Sequence, residues 1–345
     1  SFKLENVTLN ITGKVTIDAN TEWIASNITH YTTTNDDDFD VKDVLIIKGS
    51  NLSINAPEHV FDGSGFQGMR LSANSKLIIT DMDDNPNTIH DASNISSMNW
   101  NISDPFNTSL EFWGWGGGQT VEFSNSVFNH LFAVRTYGDN MIVKNNSFYY
   151  CGTIAYASGN NLTFENNYAY NNSYGWLVDF YGNNALIQNN IVEKSKIGTF
   201  FVDGGRNHLI QNNTIKDIPF YGDNEYACPG CGVFSAMNTM NSTWLNNTIT
   251  NVDNWGVYSV DDSTGIHLML YNQNNKLLGH YVFGRSKKDW SHNYVRTYAD
   301  SDVYLTSENC LRYLNTNHNF WGSIPKPIEP INNSSNDQSD TLQVE

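Results

Sequence analysis

Basic residues are scarce: 19 Lys and Arg stand against 36 Asp and Glu, a formal net charge of −17 at pH 7. Nucleic acids and anionic membranes are bound through basic patches, so this balance argues against both. There is no apolar run of the roughly 18 residues that a bilayer-spanning helix needs, so no transmembrane segment is expected. Charged residues of either sign make up only 16% of the chain. Cysteine is limited to Cys151, Cys228, Cys231 and Cys310. Four is too few for a disulfide scaffold but fits disulfides in an oxidising compartment. The chain opens at Ser1 rather than Met, which reads as a processed form with its leader removed or as a trimmed chain.

What fills the chain instead is Asn, Ser and Thr, with about 50 Asn among 345 residues. Asn tolerates left-handed backbone and bonds to its own main chain, so it suits tight turns. Asn-X-Ser/Thr sequons start at Asn6, Asn10, Asn27, Asn51, Asn94, Asn101, Asn107, Asn145, Asn161, Asn171, Asn212, Asn241, Asn246, Asn332 and Asn333. That is roughly twice what composition alone would produce, and it points to a glycosylated extracellular protein.

One segment recurs. VEFSNSVF from Val121, MIVKNNSF from Met141, LTFENNYA from Leu162, ALIQNNIV from Ala185, HLIQNNTI from His208 and STWLNNTI from Ser242 align on Asn125, Asn145, Asn166, Asn189, Asn212 and Asn246. Each copy alternates apolar and polar residues, the period of a strand, and then turns at Asn. Steps of 20, 21, 23, 23 and 34 residues mean a solenoid. Rungs would stack about 4.8 Å apart, and the aligned Asn side chains would form a hydrogen-bonded ladder along the axis. The fold expected is all-β: a right-handed parallel β-helix with rungs of about 20–23 residues.

The expected organisation is an N-terminal β-rich region with early rungs over 1–118, the β-helix over 119–324, and a polar tail over 325–345. The long step contains PFYGDNEYACPGCGVFS, read as a loop inserted at 219–235. The stretch DPFNTSLEFWGWGGGQT, with Trp113, Trp115 and three glycines, is read as a loop as well.

These rungs, with FDGSG at 61–65 and NHNFWG at 317–322, resemble the pectate-lyase-like superfamily of right-handed β-helices. They are especially similar to Asn-rich, methanogen-type archaeal surface and sheath proteins. The resemblance covers about residues 45–324 and implies a fold. That superfamily holds polysaccharide lyases and hydrolases, epimerases, tailspikes, adhesins and surface-layer proteins, so function has to be argued from a site.

Enzymes of that kind place carboxylates on neighbouring rungs. Aligning FAVRTYGD, WLVDFYG, FFVDGG and YSVDDS sets Arg135, Asp179, Asp203 and Asp261 or Asp262 in one column. Asp179 and Asp203 on adjacent rungs would lie near the roughly 5 Å separation of a retaining glycosidase pair. The alternatives are a Ca²⁺ site or carboxylates bonded to turns and water. Arg135 and Arg206 are the nearby cations, and neither sits in a lyase-like motif. No catalytic set is favoured; Asp179, Asp203, Asp261 and Arg206 are the alternative. The acidic runs at 35–40 and 81–84 lack EF-hand spacing and read as solvated loops, with Ca²⁺ the one cofactor they admit. CPGC at 228–231 has neither the setting of a redox motif nor further ligands for zinc.

Three functions follow. The first is a glycosylated cell-surface protein that assembles with itself into an S-layer, sheath or filament. The second is a secreted polysaccharide hydrolase or lyase. The third is an adhesin that binds glycans through Trp113, Trp115 and the 219–235 loop.

Overall fold

The structure is a computed structural model. It describes residues 1–31, 39–55, 68–82, 92–98, 110–172, 176–195, 198–218, 234–237, 243–245, 247–252, 257–260, 266–271, 277–283, 288–289, 294–296, 303–305 and 314–315. Beyond Asp217 the description is of the backbone alone, Asn247 excepted. The chain forms two compact units, Ser1–Tyr174 and Gly175–Glu345. All regular structure among the described residues is β.

In the first unit three parallel sheets take turns along the chain. Sheet A holds Phe2–Glu5, Thr21–Ile24, Val44–Lys48, Lys76–Thr80, Thr120–Ser124, Ile142–Lys144 and Thr163–Glu165. Sheet B holds Thr8–Thr12, Asn27–Tyr31, Asn51–Asn55, Asn94–Ser97, Val127–Asn129, Ser147–Tyr149 and Tyr168–Tyr170. Sheet C holds Val15–Ile17, Phe39–Val41, Gly68–Leu71, Leu110–Gly114, Leu131–Thr136 and Thr153–Ala157. One pass through A, B and C is a rung of a parallel β-helix. Glu122 pairs with Ile142 and Ile142 with Thr163, steps of 20 and 21 residues. The rungs begin at Phe2 and run past residue 118 without a break, since Lys76 pairs with Thr120.

The second unit repeats the plan, and its three sets of parallel strands are labelled D, E and F. Sheet D holds Leu186–Gln188, Leu209–Gln211, Thr243–Leu245, Lys288–Asp289 and Leu314–Asn315. Sheet E holds Ile191–Glu193, Thr214–Ile218, Thr248–Val252 and Tyr294–Arg296. Sheet F holds Trp176–Phe180, Gly198–Asp203, Phe234–Met237 and Val257–Val260. A feature absent from the sequence reading is a small antiparallel sheet, with Ile266–Tyr271 between Leu277–Phe283 and Val303–Leu305. Of the expected insertion at 219–235, residues 219–233 lie outside the described residues, and Phe234 and Ser235 begin a strand of sheet F. The tail at 325–345 also lies outside them.

Alternation fills the interior. Inward Trp23, Ile47, Ile79, Phe123, Val143 and Phe164 come from sheet A, and Ile28, Leu52, Ile95, Phe128, Phe148 and Ala169 from sheet B; all are at most 2% exposed. Phe123, Phe128, Phe148 and Phe164 form a continuous run of ring contacts at 4.9, 5.1 and 6.3 Å. Each such side chain contributes about 1.5–3 kcal/mol by burial. At the corner between sheets C and A the rungs close on glycine: a Cβ on Gly138 would land on the carbonyl oxygen of Gln119, and one on Gly159 on that of Gly138.

The polar ladder exists, one residue later than the sequence alignment placed it. Asn125, Asn145 and Asn166, and in the second unit Asn189 and Asn212, adopt left-handed backbone with φ of 48–56°. None of them is buried. The following residue turns inward: Ser126, Asn146 and Asn167 in the first unit, and Asn190, Asn213 and Asn247 in the second, are all at most 2% exposed. The Ser126 N–H donates to Asn146 Oδ1, and the Asn146 N–H to Asn167 Oδ1, both at 3.0 Å. Each Asn then returns an amide proton to a strand carbonyl: Asn146 to Phe123 at 3.0 Å and Asn167 to Val143 at 2.9 Å. In the second unit Asn190 N–H meets Asn213 Oδ1 at 3.0 Å and Asn213 N–H meets Asn247 Oδ1 at 3.1 Å. In the earliest rungs serine does the same work: Ser26 N–H donates to Ser50 Oγ and Ser50 N–H to Ser93 Oγ.

An unpaired buried donor or acceptor costs about 1–3 kcal/mol. Asn146→Ala strands the Ser126 N–H and removes the bond to Phe123. It should lower the unfolding free energy by about 2–4 kcal/mol, as two such losses would. Asn146→Ser should cost less, because serine fills this place in the preceding rungs, at Ser126, Ser93, Ser50 and Ser26. Urea unfolding of the two variants decides it; equal losses would remove the ladder from the account of stability.

Candidate functional site

The outer face of sheet C carries a column set by strand register. Thr16 pairs with Asp40, Asp40 with Arg70, Arg70 with Trp113, Trp113 with Arg135, and Arg135 with Tyr156. Two guanidinium groups and two aromatic rings therefore alternate rung by rung. Arg135 lies over the Trp113 ring at 4.7 Å and over Tyr156 at 5.2 Å. Arg70 lies over Trp115, which is 59% exposed, at 5.4 Å. A cation within about 6 Å of a ring centroid is held by the ring quadrupole. Glu111, almost fully buried, approaches Arg135 at 3.7 Å and fixes it from the side. Arg135 keeps 30% of its side chain exposed, so its charge still faces solvent.

The supposed loop at DPFNTSLEFWGWGGGQT thus contains a strand. Leu110, Phe112 and Gly114 point into the core and Trp113 points outward. Only Gly116, Gly117 and Gly118, with φ of 74–83°, form the turn. The clustered glycines masked a short strand whose alternation was present all along.

The carboxylate column differs from its expectation. Asp179 pairs with Phe201, and Asp203 pairs with Met237. Asp203 is therefore two residues beyond the partner of Asp179. The offset is about one rung of 4.8 Å combined with two strand residues of about 3.3 Å each. The two acids are diagonal neighbours, not the directly stacked pair that a 5 Å separation assumes. Arg135 likewise faces Tyr156 rather than an acid. The two strands start in register, Trp176 opposite Gly198, with Asp179 the fourth residue of its strand and Asp203 the sixth. Arg206 sits after sheet F with its side chain exposed. Asp261 and Asp262 lie outside the described residues.

Two residues of the acidic runs are not solvated. Asp40 is 5% exposed, accepts from Ser72 Oγ at 2.8 Å and meets Lys42 at 3.5 Å. Asp81 is fully buried and accepts from Thr80 Oγ1 at 3.1 Å and Asn125 Nδ2 at 3.2 Å. Among the described residues no cluster of three or more His, Cys, Asp or Glu could hold a metal. His208 accepts the Ala185 N–H on Nδ1 and donates from Nε2 to Gly204, a packing role. On sheet A a shallow groove of about 390 Å³ is lined by Glu22, Ile46, Ile78 and Glu122 among others. It mixes apolar groups with two acids, one lysine and two hydroxyls.

A family described as "Right handed beta helix region" matches residues 114–234. The fold is a right-handed parallel β-helix. Among solved structures the chain is similar to the periplasmic alginate epimerase AlgG, at 12% identity and a TM-score of 0.36, over 93% of this chain and 78% of that one. A double mutant of that epimerase gives 12% and 0.36, covering 93% and 79%. A single mutant gives 13% and 0.32, covering 93% and 78%. No curated protein matches. Among the described residues no helix is long and apolar enough to cross a membrane.

Cys151 is a free thiol, not half of a disulfide. It is fully buried at a corner of the first unit, with its S–H directed to the Tyr149 carbonyl at 3.3 Å and the Phe128 carbonyl at 3.5 Å. Cys228, Cys231 and Cys310 lie outside the described residues. Burial pushes the Cys151 thiol up to about 12. The unfolded thiol ionises first, so this group's contribution is intact below its ordinary range and is lost as pH rises toward 12. Iodoacetamide mass spectrometry on the native protein at pH 8 should leave Cys151 unlabelled, and urea should expose it. Rapid native labelling would contradict the burial.

Proposed function

We propose that this is an extracellular glycan-binding protein that holds acidic oligosaccharides along the outer face of sheet C. The observation that carries the reading is the Arg70–Trp113–Arg135–Tyr156 column, flanked by exposed Trp115. A guanidinium pairs bidentately with a carboxylate. Aromatic faces take the apolar C–H faces of sugar rings. Rungs repeat at about 4.8 Å, close to the length one hexose adds to an extended chain. A linear polymer along the axis would therefore meet a new side chain at each sugar. On a chain of net charge −17, Arg70 and Arg135, offset in part by Asp40 and Glu111, place two guanidinium groups where acidic sugars are favoured over neutral ones.

Calorimetric titration with uronic-acid and matched neutral oligosaccharides tests this. Acidic ligands should bind and neutral ones should not, with affinity falling as salt is raised. Arg135→Ala should cost about tenfold or more, the loss of one charged hydrogen bond. Arg135→Lys should recover only part of it, since lysine keeps the charge without the planar fork. Equal binding of both ligand classes, or an unchanged Arg135→Ala variant, would overturn the reading. Turnover of the bound sugar, abolished by changing Asp179 and Asp203 to Asn, would make it catalytic.

A further inference from the structure

Three sequons share one column on the outer face of sheet B. Asn27 pairs with Asn51, and Asn51 with Asn94. All three side chains are exposed, while the residues between each Asn and its hydroxyl partner, Ile28, Leu52 and Ile95, are at most 2% exposed. The sequon hydroxyls follow in the next outward column: Thr29 pairs with Ser53, and Ser53 with Ser96, whose Oγ atoms lie 3.1 Å apart. Strand period and sequon period coincide, so the Asn and the hydroxyl of each of these three sequons stand side by side on the same face. Asn10 faces outward from the rung below, in register with Thr29. Among the described residues sheet C carries no sequon.

We infer that the outer face of sheet B is the glycosylated face, and that this column carries sugar on alternate rungs: Asn27 and Asn94 are modified and Asn51 stays bare. Neighbouring sites are about 4.8 Å apart, narrower than an N-acetylated pyranose with its hydration. Sites two rungs apart have about twice that. A sugar on Asn51 therefore excludes both neighbours, whereas sugars on Asn27 and Asn94 exclude only Asn51. The hydrogen bonding agrees. Asn51 Nδ2 donates to Asn27 Oδ1 at 2.6 Å, a contact that shows how closely the two amides are stacked. Asn94 Nδ2 donates to the Ala92 carbonyl at 3.1 Å, and a glycosylated amide keeps one N–H for that bond. In the transfer, Nδ2 attacks the anomeric carbon of a glycosyl diphosphate donor. A C–N bond forms, the C–O bond to diphosphate breaks with its electron pair leaving on oxygen, and the amide proton passes to a base of the transferase.

The test is site occupancy in the full chain secreted from a host that transfers N-glycans. Enzymatic deglycosylation in H₂¹⁸O, followed by peptide mass spectrometry, reads each Asn separately. Occupancy at Asn27 and Asn94 should exceed that at Asn51 severalfold. Replacing both Asn27 and Asn94 with Gln should raise Asn51 by a similar factor. High occupancy of Asn51 together with its neighbours would overturn the proposal. So would an unchanged Asn51 in the double variant, or three bare sites in a chain glycosylated at Asn6 or Asn161. Each readout is independent of ligand binding on sheet C, so either idea can fail alone.

Discussion

Everything in this fold depends on satisfying the backbone where the chain turns from one sheet to the next. Within strands, each N–H meets a carbonyl one rung away. At the first corner of a rung, the left-handed residue still does so: the N–H groups of Asn125 and Asn145 reach the carbonyls of Lys144 and Glu165. The next N–H is buried and points along the axis with no carbonyl in reach. A side-chain oxygen of the neighbouring rung takes it, as Asn146 does for Ser126. Buried amides cannot be left unpaired without cost, so this position accepts only a short polar side chain. The same Asn then returns a proton to a strand carbonyl, which locks one rung to the next at a fixed height and register.

Fixed register turns a one-dimensional sequence into surface columns. Any residue on an outward strand position is repeated about 4.8 Å away by its counterpart. Arg135 is held against Trp113 and Tyr156 because they are its pairing partners on either side. Asn27, Asn51 and Asn94 are held together by the same mechanism. One device therefore creates an aromatic–cationic column on one face and a crowded amide column on another, with no additional structure needed for either.

The period, the fold class and the inward residues were legible because alternation and Asn turns recur in the chain itself. The ladder's exact position was not. In Asn-Asn both residues are good turn formers, and only geometry shows that the first takes positive φ and the second turns inward. Ser26, Ser50 and Ser93 were invisible as ladder members because serine is common at any turn. Asp179 and Asp203 look stacked when the Val-Asp motifs are aligned, but the strands pair from their first residues, which puts Asp179 opposite Phe201. The antiparallel strands at 266–283 flank Asn272, Asn274 and Asn275 but do not recur at the 20–23-residue spacing, so they fell outside the repeat. The arginine column was hidden because its members are 21 to 43 residues apart and become neighbours only through register.

Composition also misleads about charge. A net charge of −17 describes the chain as a whole, whereas recognition is decided over the few ångströms around a site. Here the two cations of sheet C sit among aromatic rings, and one of them is braced by a buried glutamate. Aromatic packing holds the guanidinium planes in place, so less side-chain entropy is lost on binding than for a mobile lysine. Under the proposed reading, the surrounding acidity disfavours an acidic polymer elsewhere on the chain, so selectivity rests on the guanidinium groups that register places together.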